Sequence, residues 1–495
     1  MLILCLSSSE YFTVCIECIV YGENLNLQST SPKDYTAQPP TTDSITQLIR
    51  TELQQEQLSL DSASVSIPTK NGVSSDRVDQ PMRAFDGGFY PRLKAMYDYL
   101  GVDYSPHRFL FTYSRLSARS SRQNREFNEP TKLYFIHSSN NHRIPPLRPK
   151  ECGFLEWLSE IIYLGLCFAF FSVCCFFIPP RDVDDDKGSQ CESLGQYLER
   201  VHIPHYFVEN YLLPPLVSMS TCSHNAMLSF PASDVITYIQ RTFNAPHYLV
   251  SAGVQEVQGK LSKGLKINLG SRVTSVSRGN TPKSGATITW DSSSTKSSLH
   301  RTFDHVILAI PPSGVGAIFA PLKQDMAQMP TVPVESVVHT DLSPILSTGN
   351  PSDSKTHLIA SAYPSSGSQW IHMRTVTIDS STTETETIHE HPASVLVSNN
   401  PQTPIDLSKT ISRTVFTRTL RTPRSRAIVQ RIFGDKPGRH QDEKSSTWRN
   451  GDGNVWLVGS WCWDGMVLLE GCAVSAMRVA EALNVPVPWK EMISA

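Results

Sequence analysis

The chain has 495 residues, 40% hydrophobic and 18% charged, long enough for two or three domains or for two that interleave. A net charge of −2 and a pI near 6.7 lack the basic footprint of a nucleic-acid-binding protein, so that class is set aside. Eleven cysteines, an odd count without regular spacing, argue against a disulfide framework and for small buried thiols in a reducing, intracellular compartment.

The opening "MLILCLSSSEYFTVCIECIVYG" has no basic start and carries Glu10 and Glu17, which makes a poor signal peptide. Cys15 and Cys18 form a C-x-x-C with no second Cys or His pair nearby to complete a zinc site, so no metal is expected. Residues 24–58 are polar, with a Ser/Thr/Pro-rich first half, and read as a linker. From Leu60 the pattern is that of a folded chain. "LDSASVSI" alternates like a strand, and "NGVSSDRVD" reads as a turn into another. "PRLKAMYDYLG" predicts a helix with Leu93, Met96, Tyr97 and Leu100 on one face and Gly101 as C-cap. "HRFLFTYSR" and "TKLYFIHS" predict strands.

Ile161 to Ile178 is an uncharged run of 18 residues, at the lower limit for a membrane span. Short helices broken by prolines follow, then a helix in "ASDVITYIQRTF" and strands in "LKINLGSRVTSVSR" and "ATITW". "FDHVILAIPP" reads as a buried strand stopped by Pro311 and Pro312. "SGVGAIF" after it lacks the third glycine of a dinucleotide loop and is set aside. Residues 345–425 are rich in Ser and Thr and predict sheet with loose insertions.

The chain closes on "NVWLVGSWCWDGMVLLEGCAVSAMRVAEAL": an apolar strand, a loop holding Gly459 and Gly465, and a helix of small residues. The start of such a helix offers free N–H groups and a positive dipole end to an electron-rich ligand atom. An ordinary strand–helix unit with aromatic packing is the plain alternative. Arg83, upstream of Gly87-Gly88, would suit a phosphate, or else a turn with a solvated arginine. His339 with Asp341, and His202 with His205, are tempting bases, although a hydrogen-bonded strand histidine is the simpler reading of His339. No nucleophile elbow is present.

In their order these segments resemble the FAD-dependent amine oxidase/desaturase superfamily, in its fungal-type branch of predicted NAD/FAD-binding flavoprotein oxidoreductases. The likeness covers roughly residues 58–490. It implies an α/β fold, in which a Rossmann-like FAD/NAD(P)-binding domain, incomplete at its N-terminus, interleaves with an α+β substrate-binding domain. The implied divisions are an atypical segment at 1–58, cofactor-domain parts at 59–145 and 251–330, and a cofactor motif at 446–495. The substrate domain takes 146–250, with the apolar helix 161–178, and the sheet at 331–445. FAD would lie against Arg83, Ala84, Val273, Ala309, Pro311, Gly459, Ser460, Asp464, Gly465, Met466 and Val467. Trp461, Trp463 and His339 would wall the substrate pocket, and no catalytic side chain is assigned because flavin chemistry needs none.

The family's opening G-x-G-x-x-G does not occur before Leu60, which predicts weak FAD binding or none. The function implied is oxidation of a small or lipophilic substrate by hydride transfer to flavin. The rival is a catalytically inactive, truncated relative serving as a membrane-associated scaffold. A transmembrane reading of 161–178 would put the two halves of one interleaved sheet on opposite sides of a bilayer. A helix lying in one leaflet is therefore expected, with burial as the alternative.

Overall fold

In this computed structural model the described residues are 2–7, 10–16, 63–68, 75–116, 132–141, 145–149, 152–181, 191–268, 271–279, 285–292, 297–345, 368–379, 382–434 and 448–493. The polar linker and Cys18 of the C-x-x-C lie outside them.

Long alternating strands build the larger sheet. Its seven strands run, in spatial order, Thr410–Thr419, Thr331–His339, Val395–Asn399, Thr383–His391, Ser368–Thr377, Arg108–Leu116 and Lys132–Ser138. All neighbours are antiparallel except Ser368–Thr377 beside Arg108–Leu116, which pair in parallel. Arg108–Leu116 and Lys132–Ser138, which the sequence grouped with the cofactor domain, thus complete the sheet of residues 331–419. Helices Leu213–Ser220 and His224–Leu228 cover its central strands. Pro214 and Pro215 sit in the first turn of the former, where no N–H is missed. That helix ends at Thr221 in the left-handed region, φ 50°.

The second sheet has the order Lys266–Asn268, Glu10–Ile16, Leu2–Ser7, His305–Ala309, Val455–Leu457. The terminal strand, whose apolar run suggests an interior and parallel place, does pair in parallel, with Val306 opposite Val455 and Leu308 opposite Leu457, but among the described residues it lies at the edge of the sheet. These four side chains are fully buried, which is why the run is apolar throughout. Leu2–Ser7, expected in an atypical or linker-like segment, instead pairs antiparallel with His305–Ala309 and with Glu10–Ile16. The sheet is therefore mixed.

Two main cores result. One gathers the helices of 194–236 with Phe85, Phe89, Leu93 and Tyr97. The other lies between the second sheet, the three-stranded sheet 271–303 and helix Pro423–Phe433. The apolar run forms the helix Phe154–Phe177. Leu164, Cys167, Phe171, Cys174 and Cys175 bury one face of it in the first core. The Tyr197 hydroxyl, bonded to the carbonyls of Cys174 (2.9 Å) and Ile178 (3.0 Å), fixes its end.

Candidate flavin-type site

The terminal loop is built around its tryptophans. After Val455–Leu457 the chain turns at Gly459, whose φ of 150° favours glycine. Ser475 on the terminal helix accepts the Gly459 N–H at 2.9 Å and donates to the Gly471 carbonyl at 2.7 Å, clasping loop to helix. Trp461 Nε1 donates to the Ile310 carbonyl at 3.0 Å, at the end of the neighbouring strand. Trp463 Nε1 donates to the Met466 carbonyl, also at 3.0 Å. A Cβ on Gly471 would lie 2.4 Å from Trp463 Cδ1 and 2.5 Å from the Ser460 carbonyl oxygen; one on Gly465 would lie 2.7 Å from the Trp463 ring. These glycines admit the indole. Trp461 and Trp463 are both buried and act as scaffold, each with its N–H engaged. Cys462 between them is fully buried, and burial pushes its thiol well up.

The helix of small residues expected after the loop is present as Leu469–Ala482, without a side-chain N-cap. Arg421, fully buried, donates Nη2 to the carbonyls of Trp461 and Trp463, 3.0 Å each. Its Nε and Nη1 find no hydrogen-bond partner among the described residues. Glu470, also fully buried, accepts the backbone N–H groups of Arg92 (3.1 Å) and Leu93 (3.0 Å) at the start of helix Pro91–Leu100.

Upstream, Ala84 pairs with Leu249 in a short sheet. The Gly87 N–H is taken by the Pro246 carbonyl and the Gly88 N–H by Asp86, so neither of these amides is left for a phosphate. A Cβ on Gly88 would fall 1.8 Å from the Arg241 carbonyl, which explains that glycine by packing. The Arg83 charge acts on Asp79 and on the Tyr97 hydroxyl.

Arg83, Ala84, Ala309, Pro311, Gly459, Ser460 and Val467 are half-buried; Val273, Gly465 and Met466 are buried, and Asp464 is exposed. His339 lies in the larger sheet with Nε2 on Ser398 Oγ at 2.8 Å, a hydrogen-bonded strand histidine. Asp341 binds the N–H groups of Ser343 and Asp406 and the Lys409 ammonium. His205 pairs with Glu209 on the surface. Sequence reasoning missed Arg421, Glu470 and Ser475. An acidic residue in the first turn of the closing helix was the only local signal among them.

The molecule thus defines an α/β protein with a mixed sheet closed by a strand–loop–helix unit and joined to a helix-covered, mostly antiparallel sheet. Residues 193–383 match the family described as flavin containing amine oxidoreductase, a span that ends before the terminal loop. That match, over less than half of the chain, makes this span similar to the flavin containing amine oxidoreductases. No curated protein matches it. Among solved structures it is similar to cyclohexylamine oxidase from Brevibacterium oxydans, 12% identical, TM-score 0.45, covering 85% of this chain and 91% of that one. It is likewise similar to a putrescine oxidase variant with a redesigned cofactor site, 11% identical, TM-score 0.45, covering 85% and 90%.

Proposed function

We propose that the chain is an FAD-dependent oxidoreductase of the amine oxidase type acting on a lipophilic substrate. The family match supports the chemistry. The site takes in Arg83, Ala84, Ala309, Pro311, Gly459, Ser460 and Val467, each half-buried, and the observation that carries it is the uncapped helix start with Arg421 bonded to the terminal loop. Two features fit a flavin there. The Leu469–Ala482 helix has no side-chain cap, so its positive end is available to electron-rich atoms. Arg421 brings a buried cation with two unpartnered N–H groups to the same loop, and both features favour negative charge on a reduced flavin.

Bound FAD would supply the two-electron acceptor, taking hydride from a substrate C–H. The protein's part is positioning and exclusion of water. Gly459 and Ser460, clasped by Ser475, and Val467 would hold the cofactor's ring end. Phe89, packed edge-on to Trp463 at 5.9 Å, and Met466 make the adjoining core apolar, which suits an apolar substrate group.

The test is reconstitution of the purified full chain with FAD, followed by anaerobic addition of n-alkylamines of rising chain length. Expected are saturation at one equivalent, with the usual flavin band at roughly 450 nm, and bleaching that improves with chain length. Absence of saturable FAD binding would overturn the reading in favour of a catalytically inactive relative.

A further inference from the structure

We infer that helix Phe154–Phe177 docks on a membrane, lying along one leaflet with its outer face in the hydrocarbon. The helix has two apolar faces, and the protein covers only one. Leu164, Cys167, Phe171 and Cys174 pack inward at three- and four-residue spacing. On the outside Leu155, Leu158, Ile162, Leu166, Phe170 and Phe177 are exposed, Leu166 by 69% and Phe177 by 78%. From Leu155 to Phe177 this second stripe runs about 33 Å at 1.5 Å per residue, without a break. A soluble helix places polar residues on that face. Here, between Gly153 and Pro180, the only charged residues are Glu156 and Glu160, both near the start. Glu160 is drawn into hydrogen bonds with the Tyr206 and Tyr211 hydroxyls.

Three observations favour a bilayer over another protein. The apolar surface extends beyond the helix: exposed Phe243 stacks edge-on against Phe176 at 5.5 Å, so the patch is broader than a single helix groove. Exposed Arg148 and Arg181 bracket the stripe just before and just after the helix, and Trp157, Tyr163 and Tyr206 gather toward its start, the residue types that anchor at headgroups. The connectivity excludes a crossing. Lys132–Ser138 before the helix and Leu213–Ser220 after it meet the same seven-stranded sheet, so both flanks stay on one side. A helix held in that way lies about 5–10 Å deep in the interface. Its inner face belongs to the same core as Trp463 and Met466, so the helix and the terminal loop share one apolar body. The docking does not rest on the proposed function.

The experiment is flotation of the full chain with phosphatidylcholine vesicles, with and without phosphatidylserine, alongside the double variant Leu166→Glu/Phe170→Glu. Wild type should float with both vesicle types. The variant should partition at least ~tenfold less while keeping its circular dichroism and melting temperature. Because binding is read without FAD, failure here and failure of the flavin reading are separate results. Wild type that stays unbound overturns the proposal, as does a soluble dimer that the double variant dissociates, which would assign the stripe to a second copy. Flotation only with phosphatidylserine and abolished by salt overturns hydrocarbon insertion. Carbonate resistance with protease protection of one flank overturns the one-leaflet placement.

Discussion

Glu470 closes the start of a helix 377 residues away, its carboxylate accepting the Leu93 N–H at 3.0 Å from inside the core. The contact joins the Leu469–Ala482 helix to Pro91–Leu100, and the two helices pack together. Glu470→Ala leaves the buried Leu93 N–H and the part-buried Arg92 N–H without this acceptor and should cost about 2–3 kcal/mol. Burial raises this carboxyl above its ordinary range, against the bonds from Leu93 and Arg92 that lower it. Its contribution is therefore fully present below its unfolded pKa and declines as pH rises through the folded one. Glu470→Gln removes that component, so its urea midpoint relative to wild type should rise across pH 4–7, the opposite trend set by the histidines being common to both chains; a difference that does not change with pH would refute the assignment.

Acid should destabilise the protein through its histidines. Burial holds His224 down at about 4, with Nε2 on Thr385 at 2.9 Å, and lowers His107, His137, His247, His389 and His391 as well. A depressed folded pKa gives stability that is present above the unfolded value of 6.5 and is lost as pH falls through the folded one. For His224 alone that amounts to about 3 kcal/mol. Unfolding midpoints should drop between pH 6.5 and 4, and His224→Gln should shrink the drop. A flat profile would remove the claim that these rings are neutral in the fold.

Gly471→Ala should destabilise strongly, because its Cβ meets both the Trp463 ring and the Ser460 carbonyl, and the second is backbone. A loss of about 2–3 kcal/mol is expected. Gly165→Ala, whose Cβ meets nothing within 4 Å, should be neutral or slightly stabilising. Equal melting temperatures for the two variants would show that the loop repacks freely.

Arg421→Ala removes a guanidinium that bridges two carbonyls of the terminal loop. The cavity and the unpaired carbonyls together should cost about 3–4 kcal/mol. Trp461 and Trp463 should then gain water, seen as a red shift of tryptophan emission before global unfolding. Emission unchanged in a folded variant would mean that the loop is held by its indoles alone.

Much of the fold was legible in local pattern. The helix at Pro91–Leu100 with Gly101 in the left-handed region, the strands of 331–419 and the two apolar strands at 305–309 and 455–457 follow from periodicity and turn residues. Local pattern fails where the partner is distant. Nothing near Arg421 announces Trp461, 40 residues on, and nothing near Glu470 announces Leu93. Gly465 looks only like a turn residue, but its missing Cβ makes room for Trp463. Gly87 and Gly88 misled in the same way, their amides being engaged by Pro246 and Asp86. The strands at Leu2–Ser7 and Glu10–Ile16 carried apolar runs in plain view, yet family resemblance argued against weighing them.

Trp461 and Trp463 stand two residues apart and belong to different cores, the first to the one beneath the mixed sheet, the second to the helical one. The short loop between them works like a rivet through two plates. Neither half can loosen without drawing out an indole anchored in the other, so heat should find one joint and not two. A single calorimetric endotherm, in a chain whose sheets could otherwise melt apart, is what that riveting means for the molecule as a whole.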